Sequence, residues 1–451
     1  MPETDTAKMR TFTRATEMTG IAAIAVVALL WSSQSVSAYT PSPIVPTLLE
    51  RAKSDKELTE WMVSVRRELH RKPEVMYKEF ETSKVIQREL ERLGIPFVAG
   101  IGGTGVVATI GTGEAPVVGL RADMDALPLD EESEVPFKSE HDGRMHACGH
   151  DIHVTMLLGA ASMLREMEKS GDLGRGTVKL CFQPAEEGGA GALHIRKHLE
   201  SGKHPLQSMF GFHVWPGLET GKVASRQGTI MASAAFFKCF FKGKGTHGAM
   251  PHLGRDPVVA ASAAIQALQT LVSRTSSPFD SSVVSVTQFK AGEAFNVIPD
   301  ETMIGGTVRA MTEESMRTLI DKATVILENV GTAYGCEVTV DFMVKITPIT
   351  PPVVNSEEGY KVASAVGRAL VGEENVIVTE PSMAAEDFSY YTQKSSGAFV
   401  FLGIKNDSKG TGSFPLHHPK FTADEDVMPI GAAYHTALAL ETLGQAVKHE
   451  L

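Results

Sequence analysis

The stretch that most constrains the fold is His146-Ala147-Cys148-Gly149-His150-Asp151, at the mouth of a segment whose apolar spacing predicts a helix over 152–168. A cysteine and a histidine separated by one glycine can turn a thiolate and an imidazole toward one point, and both are ligands for a borderline divalent metal. Alone, the triplet weighs as much toward a buried core, where cysteine and hydrogen-bonded histidine are common. Three later clusters shift the balance. Gln183-Pro184-Ala185-Glu186-Glu187-Gly188-Gly189 ends a strand-like run, Gly211-Phe212-His213-Val214 ends another, and Leu416-His417-His418-Pro419 lies near the C-terminus. Polar clusters that each terminate an apolar run are what a metal site at the carboxyl edge of an open α/β sheet requires.

The pattern around these clusters has the same character. Leu58, Met62, Val65 and Leu69 recur at helical spacing up to Pro73, after an extended lead-in through Pro41, Pro43 and Pro46, and a second helix is predicted over 81–93. Short strands over 103–111 and 117–121 follow, the second delivering Asp123 and Asp125 at its end; such carboxylates are costly to bury without partners. Strand 177–183, helix 190–200 and strand 208–214 continue an alternation that implies a mainly parallel sheet with helices on both faces. From about Ile230 the texture changes to strands over 236–242, 282–289, 302–308 and 337–342 separated by helices over 256–273 and 313–331, the ferredoxin-like order. The chain then returns through Pro348-Ile349-Thr350-Pro351-Pro352 to a helix, to strands over 376–379 and 398–403, and to a last helix over 429–445. The expected organisation is an α/β unit over 44–229, an inserted unit over 230–346, and the rest of the first unit over 347–447.

The chain's 451 residues exceed one ordinary domain of about 100–200 residues. Its net charge of −11 leaves no basic footprint for nucleic acid or an anionic membrane. A small-molecule partner is expected. Lys8, Arg10 and Arg14 precede the apolar run Gly20 to Trp31 and the small residues of Val36-Ser37-Ala38, the pattern of a signal peptide over 1–38. Lys448-His449-Glu450-Leu451 resembles an endoplasmic reticulum retrieval tail, so the lumen of that compartment, with no membrane attachment after cleavage, is the expected location. Four cysteines are too few for a disulfide scaffold: Cys181 reads as core, while Cys239 and Cys336 could pair across neighbouring strands.

Five motifs carry a resemblance that extends over about residues 50–447: Arg121-Ala-Asp-Met-Asp-Ala-Leu-Pro128, His146 to Asp151, Phe182-Gln-Pro-Ala-Glu-Glu-Gly-Gly189, Phe295-Asn-Val-Ile-Pro-Asp300 and Leu416-His-His-Pro-Lys-Phe421. The chain resembles the amidohydrolase branch of the aminoacylase/carboxypeptidase metallopeptidase family, and within it the plant indole-3-acetic acid (auxin)–amino acid hydrolases. Bacterial hippurate hydrolases and N-acyl-amino acid deacylases share these motifs, so the resemblance is sharper for the branch than for the substrate. It implies a metallopeptidase-type α/β catalytic domain with an inserted ferredoxin-like lid. It further implies metal ligation by Cys148, His150, Glu187, His213 and His417, with manganese the usual activator and two ions possible, bridged by the thiolate. His417 is preferred to His418 as the first histidine after leucine. The donor types themselves suit zinc or cobalt at least as well. Of the adjacent carboxylates, Glu187 would bind metal and Glu186 would move a proton between water and the leaving amine. Asp125 matches a carboxylate that orients a ligand histidine. Asp123 stands where dizinc relatives outside the branch carry a histidine, and its role is open. In the lid, His247 would polarise the scissile carbonyl, and Asn296 and Arg309 would hold the carboxylate of an N-acyl amino acid. A monomer or a homodimer fits; in some relatives the lid dimerises and lends its histidine to the neighbour. A non-catalytic binding protein on the same fold is the rival class, against which the intact Glu186 and ligand set speak.

Overall fold

Short apolar runs, buried almost continuously at the centre, pair into an eight-stranded sheet. In the computed structural model, which describes residues 39–343 and 347–449, its order is Phe97–Ile101, Gly105–Gly111, Thr177–Gln183, Val117–Asp123, Ser208–Glu219, Ser396–Lys405, Val223–Ser225, Val376–Val378. The four strands from Thr177–Gln183 to Ser396–Lys405 run parallel, and antiparallel pairings join them to the strands on either flank. Parallel strands are covered on both faces. Val117–Asp123 is accordingly buried at every position, Arg121 and Asp123 included. Helix His150–Ser170 packs against Lys56–Arg71, Phe80–Leu93 and Val427–His449 on one face of the sheet. Ala192–Glu200 and the short helix Ser389–Thr392 contribute Ile195, Leu199, Tyr390 and Tyr391 to a separate core with Met209, Phe388 and Phe399.

The lead-in differs from the expectation. Val45–Ser54 is a helix, not extended chain, and it buries Val45, Leu48, Leu49 and Ala52 while packing against Val427–His449. Pro46 sits in its first turn, where the missing amide hydrogen costs nothing. Strand Phe97–Ile101 was also not apparent, because three of its five residues are exposed at the sheet edge. The expected signal segment and the end of the retrieval tail lie outside the described residues. Among the described residues no helix is long and apolar enough to cross a membrane.

The inserted segment follows the expected strand-helix-strand-strand-helix-strand plan: Ser233–Lys242, Pro257–Thr270, Ser282–Ala291, Glu301–Ala310, Glu313–Ala333 and Glu337–Asp341. Its strands form an antiparallel sheet in the order Ser282–Ala291, Glu301–Ala310, Ser233–Lys242, Glu337–Asp341. The helices are capped by Asp256, which accepts from the amides of Val258 and Val259, and by Thr312, which accepts from Ser315. They close a core around Phe237, Phe241, Leu268, Ile304 and Leu327. Cys239 and Cys336 both belong to that core, and all four cysteines are free.

Candidate metal centre and active site

Parallel register brings the chemistry to one edge. Asp123 pairs with Gln183 at the ends of their strands, and Arg121 pairs with Gly211, so Asp123, the turn after Gln183 and His213 arrive at the same level. Two turns then aim the side chains. Gly149 caps helix His150–Ser170 with φ +84°, and a Cβ there would lie 2.4 Å from Val214 Cγ2, so only glycine lets Cys148 and His150 flank this corner. After Gln183, Ala185 takes φ +54° and Gly188 φ +96°. That kinked turn points the amides of Glu186 and Glu187 at the two oxygens of Asp125, at 3.0 and 3.1 Å. Glu79, fully buried, holds the same turn from the other side: its Oε1 accepts from the amides of Ala185 and Tyr77, both at 2.9 Å, and its Oε2 from Thr104 Oγ1 at 2.7 Å.

The five expected ligands converge as two triads that share one sulfur. Donor atoms of Cys148, His150 and His213 lie within 4.8 Å of one another, and so do those of Cys148, Glu187 and His417. Cys148 Sγ is 3.3 Å from His213 Nε2, and Glu187 Oε1 is 3.1 Å from His417 Nε2. His213 is oriented by Nδ1, 2.7 Å from the carbonyl of Val214. His417 has φ +63°, and its amide donates to Ala147 O at 2.9 Å, which pins the C-terminal loop to the Cys148 loop. His418 stacks on Phe414 and accepts from the amide of Lys420, outside the cluster.

The residues present fit a divalent cation. His150 is buried, yet neither ring nitrogen makes a hydrogen bond among the described residues; they stand 3.6 Å from Asp123 and 3.5 Å from Asp125. Burial pushes the Cys148 thiol well above its ordinary value, reinforced by Glu187, Glu186 and Asp123. Burial likewise raises the Glu186 carboxyl, with Glu386, Glu187 and Asp387 adding to it and Arg121 opposing. For His150 burial opposes the charge, but Asp123 and Asp125 outweigh it and raise it to about 10. Such an excess of buried acceptors, with an imidazole forced toward its cationic form, is what bound metal relieves.

A cavity of about 310 Å³ opens onto this cluster. Cys148, Glu186, Glu187, His213 and His417 line one side, and Arg309 reaches it from the lid. Arg309 is half-buried, and burial lowers its pKa; it has no carboxylate partner among the described residues, and its guanidinium donates only to Met383 O, at 3.5 Å. It does not pair with a surface carboxylate. His247 and Asn296 do not line the cavity: His247 pairs with Val297, and the amide of Gly248 donates to Asn296 O, on an exposed edge of the lid.

A model of the peptidase family M20/M25/M40 matches residues 119–441. The chain belongs to that family. It is 43% identical over 410 residues to the IAA-amino acid hydrolase ILR1-like 4 of Arabidopsis thaliana, covering 91% of each chain. It is 37% identical to the N-acetylcysteine deacetylase of Bacillus subtilis, over 86% of this chain and 99% of that one. Among solved structures it resembles the YXEP protein of Bacillus subtilis, described as a dinuclear metal-binding peptidase from the M20 family, with a TM-score of 0.73 and 33% identity over 87% of this chain and 99% of that one. An M20 amidohydrolase that binds divalent metal is therefore the coarse assignment.

The structure adds residues to this M20 site that reading the sequence missed. Arg121, fully buried, donates to Gln183, to Asp123 at 2.6 Å, to Glu386 at 2.8 Å and to Asp387 at 3.0 Å. Asp123 in turn holds His153 Nδ1 at 2.6 Å, while His153 Nε2 accepts from the amide of Val214 at 2.9 Å, beside His213. Asp123 thus supports the histidines from behind. Its own carboxyl is held well below the usual range because Arg121, His150 and His153 outweigh burial. Two signals could have found this set: the acidic pair in Ala385-Glu386-Asp387-Phe388 ahead of a buried aromatic run, and His153 three residues after His150 on one helix.

Proposed function

We propose that this M20 enzyme hydrolyses the amide bond of N-acyl amino acids and releases indole-3-acetic acid from its amino acid conjugates. The observation that carries the reading is the placement of a half-buried Arg309, without a carboxylate partner among the described residues, across one cavity from Glu186 and the two donor triads that share Cys148. A free carboxylate on the substrate completes Arg309, which sets the amide bond beside Glu186. Cys148, His150 and His213 would hold one divalent ion, and Cys148, Glu187 and His417 a second. Bound metal supplies Lewis acidity toward the scissile carbonyl and lowers the pKa of water. Glu186 takes the proton from the attacking water and returns it to the leaving nitrogen, a poor leaving group until protonated. Asp125 keeps Glu186 and Glu187 in place through their amides and faces His150 Nδ1. His247 and Asn296 would join the site on lid closure or from the lid of a second copy.

Support for the acyl group comes from the 43% identity to a hydrolase named for indole-3-acetic acid conjugates. The 37% identity to an N-acetylcysteine deacetylase favours the second reading, a general N-acyl-amino acid deacylase. A mass-spectrometric screen of acyl amino acids with the manganese-loaded enzyme separates them. Preferred turnover of indole-3-acetyl conjugates of small or aliphatic amino acids is expected. Turnover of acetyl and benzoyl conjugates with indoleacetyl ones inert would establish the general deacylase instead.

A further inference from the structure

The catalytic cavity has an annex. A second, open trough of about 710 Å³ runs along Pro216, Gly217, Lys405 and Phe414, and two residues, Trp215 and Leu416, line both spaces. Each stands one step from the chemistry: Leu416 precedes His417, and Trp215 follows His213 by two residues on strand Ser208–Glu219, so their side chains share a face of the sheet. The ring centroids of His213 and Trp215 are 6.2 Å apart. Trp215 is also held rigid. It stacks on Phe401 of the neighbouring strand, with centroids 4.1 Å apart and planes 20° from parallel, and Phe401 is fully buried. One indole face is thereby occupied from below, while the half-exposed remainder of the ring borders both the cavity and the trough.

We infer that Trp215 is the specificity-determining residue for the acyl half of the substrate, a fixed aromatic plate that selects planar aromatic acyl groups and leads them past Leu416 into the trough. This rests on the assignment of N-acyl amino acids as substrates. With the amino acid carboxylate at Arg309 and the amide at Glu186, the acyl group meets the wall that Trp215 and Leu416 form, and the trough of about 710 Å³ that shares this wall adds room for a ring. A pre-ordered aromatic surface binds a second ring with little further loss of side-chain freedom, and it offers an acetyl group almost nothing. Discrimination between acyl groups therefore resides in Trp215 and not in the metal ligands.

The test compares kcat/KM of the manganese-loaded wild type, Trp215→Leu and Trp215→Phe on indole-3-acetyl-alanine and on acetyl-alanine. The acetyl substrate serves as the control for folding and metal loading. Trp215→Leu should lower kcat/KM for the indoleacetyl substrate about tenfold or more while the acetyl substrate stays within about threefold, and Trp215→Phe should recover most of the loss. Equal loss on both substrates, or an unchanged ratio between them, overturns the inference and leaves the substrate class standing. A wild type that turns over neither compound overturns the substrate class itself.

Discussion

Replacing Glu186 by glutamine keeps the volume of the side chain and one acceptor oxygen, and removes the basic oxygen that we propose takes and returns the proton. The structure shows why this exchange should be clean. The turn carrying Glu186 is held by main-chain donors, the amides of Glu186 and Glu187 to Asp125 at 3.0 and 3.1 Å and the amide of Ala185 to Glu79 at 2.9 Å, none of which the substitution touches. Both donor triads that contain Cys148 are complete without Glu186, although its carboxylate also lies within 4.8 Å of His150 and Glu187, so the exchange leaves each triad whole and metal content should stay near wild type. General acid–base help is worth about 10²–10⁴-fold, or about 3–5 kcal/mol of barrier. One residue serving two proton transfers places kcat for Glu186→Gln in the upper part of that loss. Glu187→Gln should behave otherwise. Its Oε1 stands 3.1 Å from His417 Nε2 in the second triad, and a neutral amide is the weaker ligand, so metal should be lost together with turnover. Metal per chain by plasma mass spectrometry, measured beside turnover of an indoleacetyl amino acid, decides the matter. Loss of metal in Glu186→Gln with retention in Glu187→Gln would refute the reasoning and exchange the two roles.

Arg309→Ala should raise KM about tenfold or more for substrates with a free carboxylate, since a charged hydrogen bond is worth about 1.5–3 kcal/mol, and should leave carboxamide analogues almost unchanged; equal effects on both would make Arg309 structural. Gly149→Ala forces a Cβ to within 2.4 Å of Val214 Cγ2 at φ +84°, a cost of about 2 kcal/mol or more, read as a lower melting temperature and reduced metal content. Glu79→Ala strands the buried amide of Ala185, at a cost of about 1–3 kcal/mol, and should lower kcat with it. Glu79→Gln should restore both stability and kcat, because one oxygen can still accept from Tyr77 and Ala185 while the amide nitrogen donates to Thr104; equal loss in the two variants would show that the charge, not the hydrogen bonds, holds the turn.

The strand and helix alternation, the ferredoxin-like insertion and the chemical character of the site were legible in the amino-acid order because each is a local property. Period-two and period-3.6 burial, a glycine between cysteine and histidine, and an acidic pair ahead of two glycines are all written within a few residues. The five donors that meet around Cys148 were visible as cluster ends, since strand ends in a parallel sheet converge on one edge. What the order could not express is which distant charges share a buried volume. Arg121 neutralises Glu386 and Asp387 across more than 260 positions of sequence, as well as Asp123 two positions away, and Glu79 reaches Ala185 across 106. The role of Asp123 stayed open along the sequence because its partner His153, 30 positions on, is chosen by helix packing against the strand end and not by spacing. The same limit separated the lid residues. Arg309, His247 and Asn296 look equivalent along the chain, but Arg309 lies on a central strand that faces the cavity while the other two occupy an exposed edge. Local chemistry follows from residue order; the choice of partners for buried charge follows from tertiary packing, because desolvation makes an unpaired charge costly wherever the fold brings it.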